Sequence, residues 1–191
     1  MPILVTVLAF SVGLNVCIYY FDQVRIREMQ GMISKTRAKA FNQWVGSMEL
    51  VINSITGAET YLDVQRARQY FGMKSDCVSV LTLGLLDASA PHSQEDDLYW
   101  KISSVTFYLH EALESAEYPP RAEPIDDYLK AAIGSLNSTI QNLLSKTAYV
   151  VAEIEVDPAQ QLKNAGVLTD VINILGQIDQ ISGDIITHYG L

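Results

Sequence analysis

The side chains best suited to chemistry are histidines with nearby carboxylates. His110 and Glu114 stand four residues apart, as do Asp184 and His188. That spacing places both members of a pair on one side of a helix. Two such pairs facing each other would offer imidazole and carboxylate ligands to a divalent cation. The chain lacks the Glu-x-x-His motif of di-metal carboxylate bundles. Helix phase also opposes a shared site. Leu98, Ile102, Val105, Leu109, Ala112 and Ala116 recur in a 4-3-4-3-4 pattern and mark a core seam. His110 is turned about 100° from Leu109 and Glu114 about 140°, so both are expected to face solvent. His188 lies near the C-terminus, where fraying is expected. Glu111, Glu114 and Glu117 recur every third residue, but without burial they keep ordinary acidity and make poor general acids. His92 falls in a loop beside Pro91. There is no glycine-rich phosphate loop, nucleophile elbow, CxxC or HExxH. No catalytic, cofactor or metal residues are therefore assigned.

A different chemistry is written at the N-terminus. Residues 2–21 contain no charged side chain. As a helix they reach roughly 30 Å, the thickness of a hydrocarbon core. Pro2 suits a helix start, and Tyr19, Tyr20 and Phe21 suit an interfacial belt. A cleaved leader would want basic residues before the apolar run and small residues at its end, and neither occurs. The expectation is a single transmembrane helix over residues 1–21. Within it Asn15 is the strong polar group, and Gly13 and Cys17 form a small-xxx-small pair. Both features mark association with another helix, worth about 0.6–2 kcal/mol for a polar contact in lipid.

Charge sets the expected topology. No Lys or Arg precedes the span, while Arg25, Arg27, Lys35, Arg37 and Lys39 follow it. The positive-inside rule then keeps this flank cytoplasmic and sends the short N-terminal tail out. The five basic residues are expected to meet anionic headgroups. Residues 22–74 carry eight basic and five acidic side chains, net +3, and residues 75–191 carry five and seventeen, net −12. The whole chain is −9 with a pI near 4.7. That balance argues against nucleic acid as a partner. Cys17 and Cys77 do not read as a disulfide framework.

These features must be positioned by helices. The chain of 191 residues is 49% hydrophobic and 18% charged, with mean hydropathy +0.13. That rules out a disordered polypeptide. Ile26, Met29, Ile33, Ala40, Trp44, Met48, Val51 and Ile55 form one apolar stripe, with a gap at Thr36 and Arg37, and Gly57 ends it. This helix is free to continue from the membrane span without a break. A short helix over residues 77–86 is expected behind an Asp76 cap. Ser93 and Asp96 form a capping-box start for the seam helix. Leu129, Ala132, Ile133, Leu136, Ile140, Leu143 and Leu144 define the next helix. Residues 149–156 alternate like a strand but lack a partner, so continued helix is favoured. Asp157 and Pro158 start a final helix striped by Leu168, Val171, Leu175, Ile178, Ile181 and Ile185.

The expected architecture is all-α: the anchor (1–21), then an antiparallel bundle of about four to five helices (22–191). The leading functional reading is a non-enzymatic, single-pass membrane module. It binds lipids and a protein partner or further copies of itself. An extracytoplasmic helical sensor and a metal-carboxylate bundle are the alternatives.

Overall fold

The computed structural model describes residues 2–75, 77–82, 85, 93–117, 122–148, 150 and 156–190, without the side chains of residues 2–13, 73–75 and 117. Among these residues the chain is all-helical. The helices are α1 (Pro2–Ile55), α2 (Tyr61–Ser75), α3 (Val78–Leu81), α4 (Gln94–Glu117), α5 (Asp127–Thr147), α6 (Pro158–Asn164) and α7 (Leu168–Tyr189). Five are long and two are single-turn or two-turn connectors.

The periodicities place the core where hydrophobic burial demands. All six seam residues of α4 are buried, as are Leu129, Ile133, Leu136, Ile140 and Leu143 of α5 and Leu168, Val171, Leu175, Ile178 and Ile185 of α7. On α1 the covered stripe begins at Ala38 and Ala40 and runs through Phe41, Trp44, Met48 and Val51 to Ile55. Trp44 is fully buried, and its indole N–H donates to Thr106 Oγ at 3.0 Å. Thr106 in turn donates to the Ile102 carbonyl at 2.7 Å. The polar atom of the largest core side chain is thus satisfied inside the core, as burial requires.

The long helices alternate in direction along the chain, but close neighbours in space include parallel pairs. Arg37 of α1 meets Tyr99 of α4, and Trp44 meets Thr106. Gln94 and Ser104 of α4 bond Thr169 and Asp179 of α7. In each case the two contacts advance together, so α1, α4 and α7 run the same way. By contrast Lys146 of α5 pairs with Asp170, and Tyr128 stacks on His188, so α5 is antiparallel to α7. The purely antiparallel bundle expected from sequence is corrected to this mixed arrangement, in which α4 and α7 pack side by side in parallel while α1 is bordered by the antiparallel α2 and α5.

Local signals decide the helix boundaries. Ser93 and Asp96 make the reciprocal capping pair: the Asp96 amide donates to Ser93 Oγ at 3.1 Å, and the Ser93 amide donates to the Asp96 carboxylate at 3.2 Å. Asp157 caps α6 by accepting from the Ala159 amide at 3.0 Å, with Pro158 at the first helical position. Gly166 follows α6 at φ +72°, a left-handed conformation suited to glycine, and redirects the chain into α7.

Three sequence expectations change, the first being the single final helix from Pro158, which is broken at Gly166 into α6 and α7. Ile26 and Met29 are 46% and 50% exposed, because the stripe they share with Trp44 runs past the end of the bundle. The helix expected over residues 77–86 shrinks to Val78–Leu81 and is preceded by Cys77 without a side-chain cap. An unbroken apolar run has no helical period to fix its length. Asp76 lies outside the described residues, as do 149 and 151–155 of the ambiguous segment. Leu109→Ala should lower unfolding stability by about 2–5 kcal/mol, measured as a shift in the urea midpoint, since the fully buried site cannot collapse around the loss.

Candidate functional site

A 54-residue helix makes the first site. α1 continues without interruption from Pro2 to Ile55, so the apolar stretch is rigidly continuous with the bundle. Leu14, Val16, Ile18, Tyr19, Tyr20 and Phe21 are between 51% and 71% exposed, with no bundle element covering them. Such a run of exposed large apolar side chains on one helix calls for a non-aqueous neighbour. Among the described residues no helix is long and apolar enough to cross a membrane. The side chains of residues 2–13, the first part of the uncharged stretch, are not among those described.

Helix geometry separates the three residues expected to share a membrane contact. Gly13 and Cys17 are each two residues from Asn15, and therefore about 160° away around the helix. Asn15 and Cys17 are both exposed, and Cys17 and Cys77 are free thiols. One helix–helix interface cannot use Asn15 and the small-residue pair together.

The basic flank also divides. Arg25, Arg27, Lys35 and Lys39 are exposed. At 1.5 Å per residue, Arg25 and Arg27 stand about 6–9 Å beyond Phe21 along the helix, whereas Lys35 and Lys39 stand about 21–27 Å beyond it. A Debye length of about 8 Å leaves the first pair within reach of a surface at Phe21 and the second pair outside it.

Arg37 corrects the expected surface set. It turns into the bundle, its guanidinium 4.7 Å above the Tyr99 ring and 3.5 Å from Asp157 Oδ2. The Tyr99 hydroxyl donates to Asp157 Oδ1 at 2.6 Å, and the same oxygen caps α6. Three elements, α1, α4 and α6, therefore meet in one ionic joint where α1 enters the core. Burial, then the charge of Asp157, pushes the Tyr99 hydroxyl well above its ordinary value, so it stays a donor. The signal was present in the sequence. Arg37 lies one heptad before Trp44 on the apolar stripe, and a charge there implies a buried partner.

A second polar cluster closes the opposite end. Asp126 caps α5 by accepting from the Leu129 amide at 2.8 Å. Its other oxygen accepts from Tyr61 at 3.0 Å and Tyr189 at 2.6 Å. Burial alone would raise this carboxyl, but the bonds from Tyr189, Leu129 and Tyr61 outweigh it and hold the value below the ordinary one. Burial, then Asp126, pushes the Tyr189 hydroxyl upward. Backbone bonds from Tyr61 to Glu123 and from Ile125 to Glu59 fasten the adjoining loops.

The histidine pairs do not converge. His110, Glu111 and Glu114 bring one ligand atom each within 4.8 Å of the others. Arg68, however, sits 3.0 Å from Glu114 and places a fixed positive charge against any cation. His110 is half-buried beside Gly72 of α2, so the solvent-facing position expected for it is corrected. His188 stacks on Tyr128 with ring centroids 3.8 Å apart, away from the other pair. His92 and the Glu117 side chain lie outside the described residues.

Comparison with known protein families, curated proteins and solved structures finds no match.

Asp157→Ala should cost about 3–5 kcal/mol in urea unfolding, because it leaves the Arg37 charge without its carboxylate. Adding Arg37→Met to that variant should cost less than the two single losses combined. The Asp126 contribution is present above the unfolded value near 3.8 and fades as pH falls through the lower folded value. Asp126→Asn should therefore flatten the acid limb of stability against pH below about pH 4, and leave the curve between about pH 5 and 8 parallel to the parent's.

Proposed function

We propose that this chain is a non-enzymatic, single-pass membrane protein in which α1 is both anchor and stalk. The bundle acts as an interaction or assembly module on the cytoplasmic side. The observation that carries the reading is the uncharged apolar segment, exposed over residues 14–21 and joined to the bundle by unbroken helix. A helix satisfies its own backbone groups, so residues 2–21 need only an apolar surrounding for their side chains.

The stalk follows from the same continuity. From Phe21 to Met32, which borders Val80 of α3, the helix rises about 16 Å. The bundle is thereby held clear of the headgroups while Arg25 and Arg27 remain near them. Placement of the bundle in the cytoplasm rests on the basic flank, which keeps Arg25, Arg27, Lys35 and Lys39 after Arg37 is assigned to the core. Asp126 and Asp157, the carboxylates at the two polar clusters, serve as caps and interhelical ties, which supports a binding role over a catalytic one.

Full-length protein should sediment with membranes, resist carbonate extraction and enter the supernatant only with detergent. A variant starting at residue 24 should remain folded and stay in the supernatant. Full-length chain that is recovered intact without detergent would overturn the reading.

A further inference from the structure

We infer that neighbouring copies associate head-to-tail, with the outward face of α1 from one copy seated against the outward face of α4 from the next. The inference rests on the anchor reading above, because a shared bilayer is what holds two copies parallel and at one depth.

Two contacts fix the relative height of these helices within a copy. Arg37 lies level with Tyr99, and Trp44 level with Thr106. Both pairs differ by 62 positions, so residue n of α1 stands at the height of residue n + 62 of α4. The same heights apply between copies rooted alike in one membrane.

The outward face of α1 presents Lys35, Lys39, Gly46 and Leu50, the last 40% exposed. A Cβ at Gly46 would meet nothing within 4 Å, so the helix surface there is a shallow notch. The outward face of α4 presents Asp97, Trp100 and Phe107, the two aromatics 43% and 60% exposed. By the height rule Lys35 is level with Asp97, Lys39 is one residue from Trp100, and Phe107 is one residue from Gly46. A cation thus meets a carboxylate, a second cation meets an indole face, and a protruding ring meets the notch. Asp97 and Trp100 also line a depression of about 420 Å³ with Lys101, Ser104 and Ile172. Its own Lys101 is directed to Asp179 at 3.4 Å, and Asp97 and Trp100 are exposed at its rim.

Charge decides against like-to-like pairing. Two α4 faces would set Asp97, Glu111 and Glu114 against their own copies, and two α1 faces would oppose Lys35 and Lys39. The unlike faces attract in their membrane-proximal half. Glu49 and Glu111 share a height farther out, so the upper half contributes through Leu50 and Phe107. Contacts between unlike faces propagate, so the copies form a closed ring or an open row in the bilayer.

The test uses full-length protein carrying Cys17→Ser and Cys77→Ser, co-expressed as two differently tagged copies. One bears Gly46→Cys and the other Phe107→Cys, and membranes are treated with a short bis-maleimide. A product joining the two tags is expected, with little product in either single-variant membrane. Lys35→Glu in the first copy should lower the yield about fivefold, and Asp97→Lys in the second should restore it. Protein that is membrane-bound but gives no mixed product sinks this inference alone. So does efficient crosslinking of Phe107→Cys copies to one another. Protein found outside the membrane sinks both this inference and the anchoring on which it rests.

Discussion

A helix that never breaks must take its surroundings in sequence, and α1 imposes that constraint on everything else. Its backbone is satisfied internally from Pro2 to Ile55, so only the side chains decide what lies beside each turn. Residues 37–55 meet the bundle core, Met32, Ile33 and Thr36 border Val80 of α3, and Leu14 to Phe21 stand exposed beyond it. The other helices assemble around that final third. α2 returns along it, α4 runs parallel to it through Trp44 and Thr106, and α5 covers it from another side. The apolar stripe on α1 therefore changes from surface to core along one continuous rod, and the transition is marked by Arg37.

The transition shows why a charge belongs in an otherwise apolar register. At the rim of a core a guanidinium can stack on an aromatic face, pair with a carboxylate and keep partial contact with water. Arg37 does this with Tyr99 and Asp157, at a side-chain exposure of 14%. Asp157 simultaneously caps α6, so one carboxylate fixes the start of a helix and its distance from two others. Asp126 repeats the principle at the far end, joining a cap to two tyrosine hydroxyls from α2 and α7. Both aspartates satisfy orphan amides that any helix start leaves exposed. Their acidity is thereby committed to structure, and the bundle is tied at both ends by bonds between elements far apart in sequence.

Much of this was legible before the fold was known, and the reason is locality. The α4 seam, the Ser93–Asp96 box and the Asp157–Pro158 start each depend on residues within a few turns. The seam and the box are found as expected, and Pro158 does start a helix, but that helix ends at Asn164 and a separate one, α7, carries the Leu168–Ile185 stripe. What failed was non-local. Periodicity assigns Ile26 and Met29 to the same face as Trp44, but it does not say where the covering helices stop. Arg37 looked like one more basic residue near the membrane because its partner is 120 positions away. His110 was placed correctly off the seam, yet Gly72 of α2 leaves room for it to pack. The orientation of α4 relative to α1 and α7 had no sequence signature, since connections only alternate direction and do not choose neighbours.

That arrangement of neighbours bears on the proposed assembly. α1 is bordered by α2 and α5, both antiparallel to it, and meets the parallel α4 across the core at Arg37–Tyr99 and Trp44–Thr106. With α1 and α4 parallel, the two helices keep a constant offset, so Lys35 of α1 stays level with Asp97 in the first turn of α4. In the proposed assembly the division of charge between the basic part of α1 and the acidic remainder would become a lateral pattern, read at one height along the helices. A gradient from membrane to tip would repel or attract the surface as a whole. Side-by-side complementarity would select a partner of the same orientation and depth, which is the condition the proposed common anchor would supply.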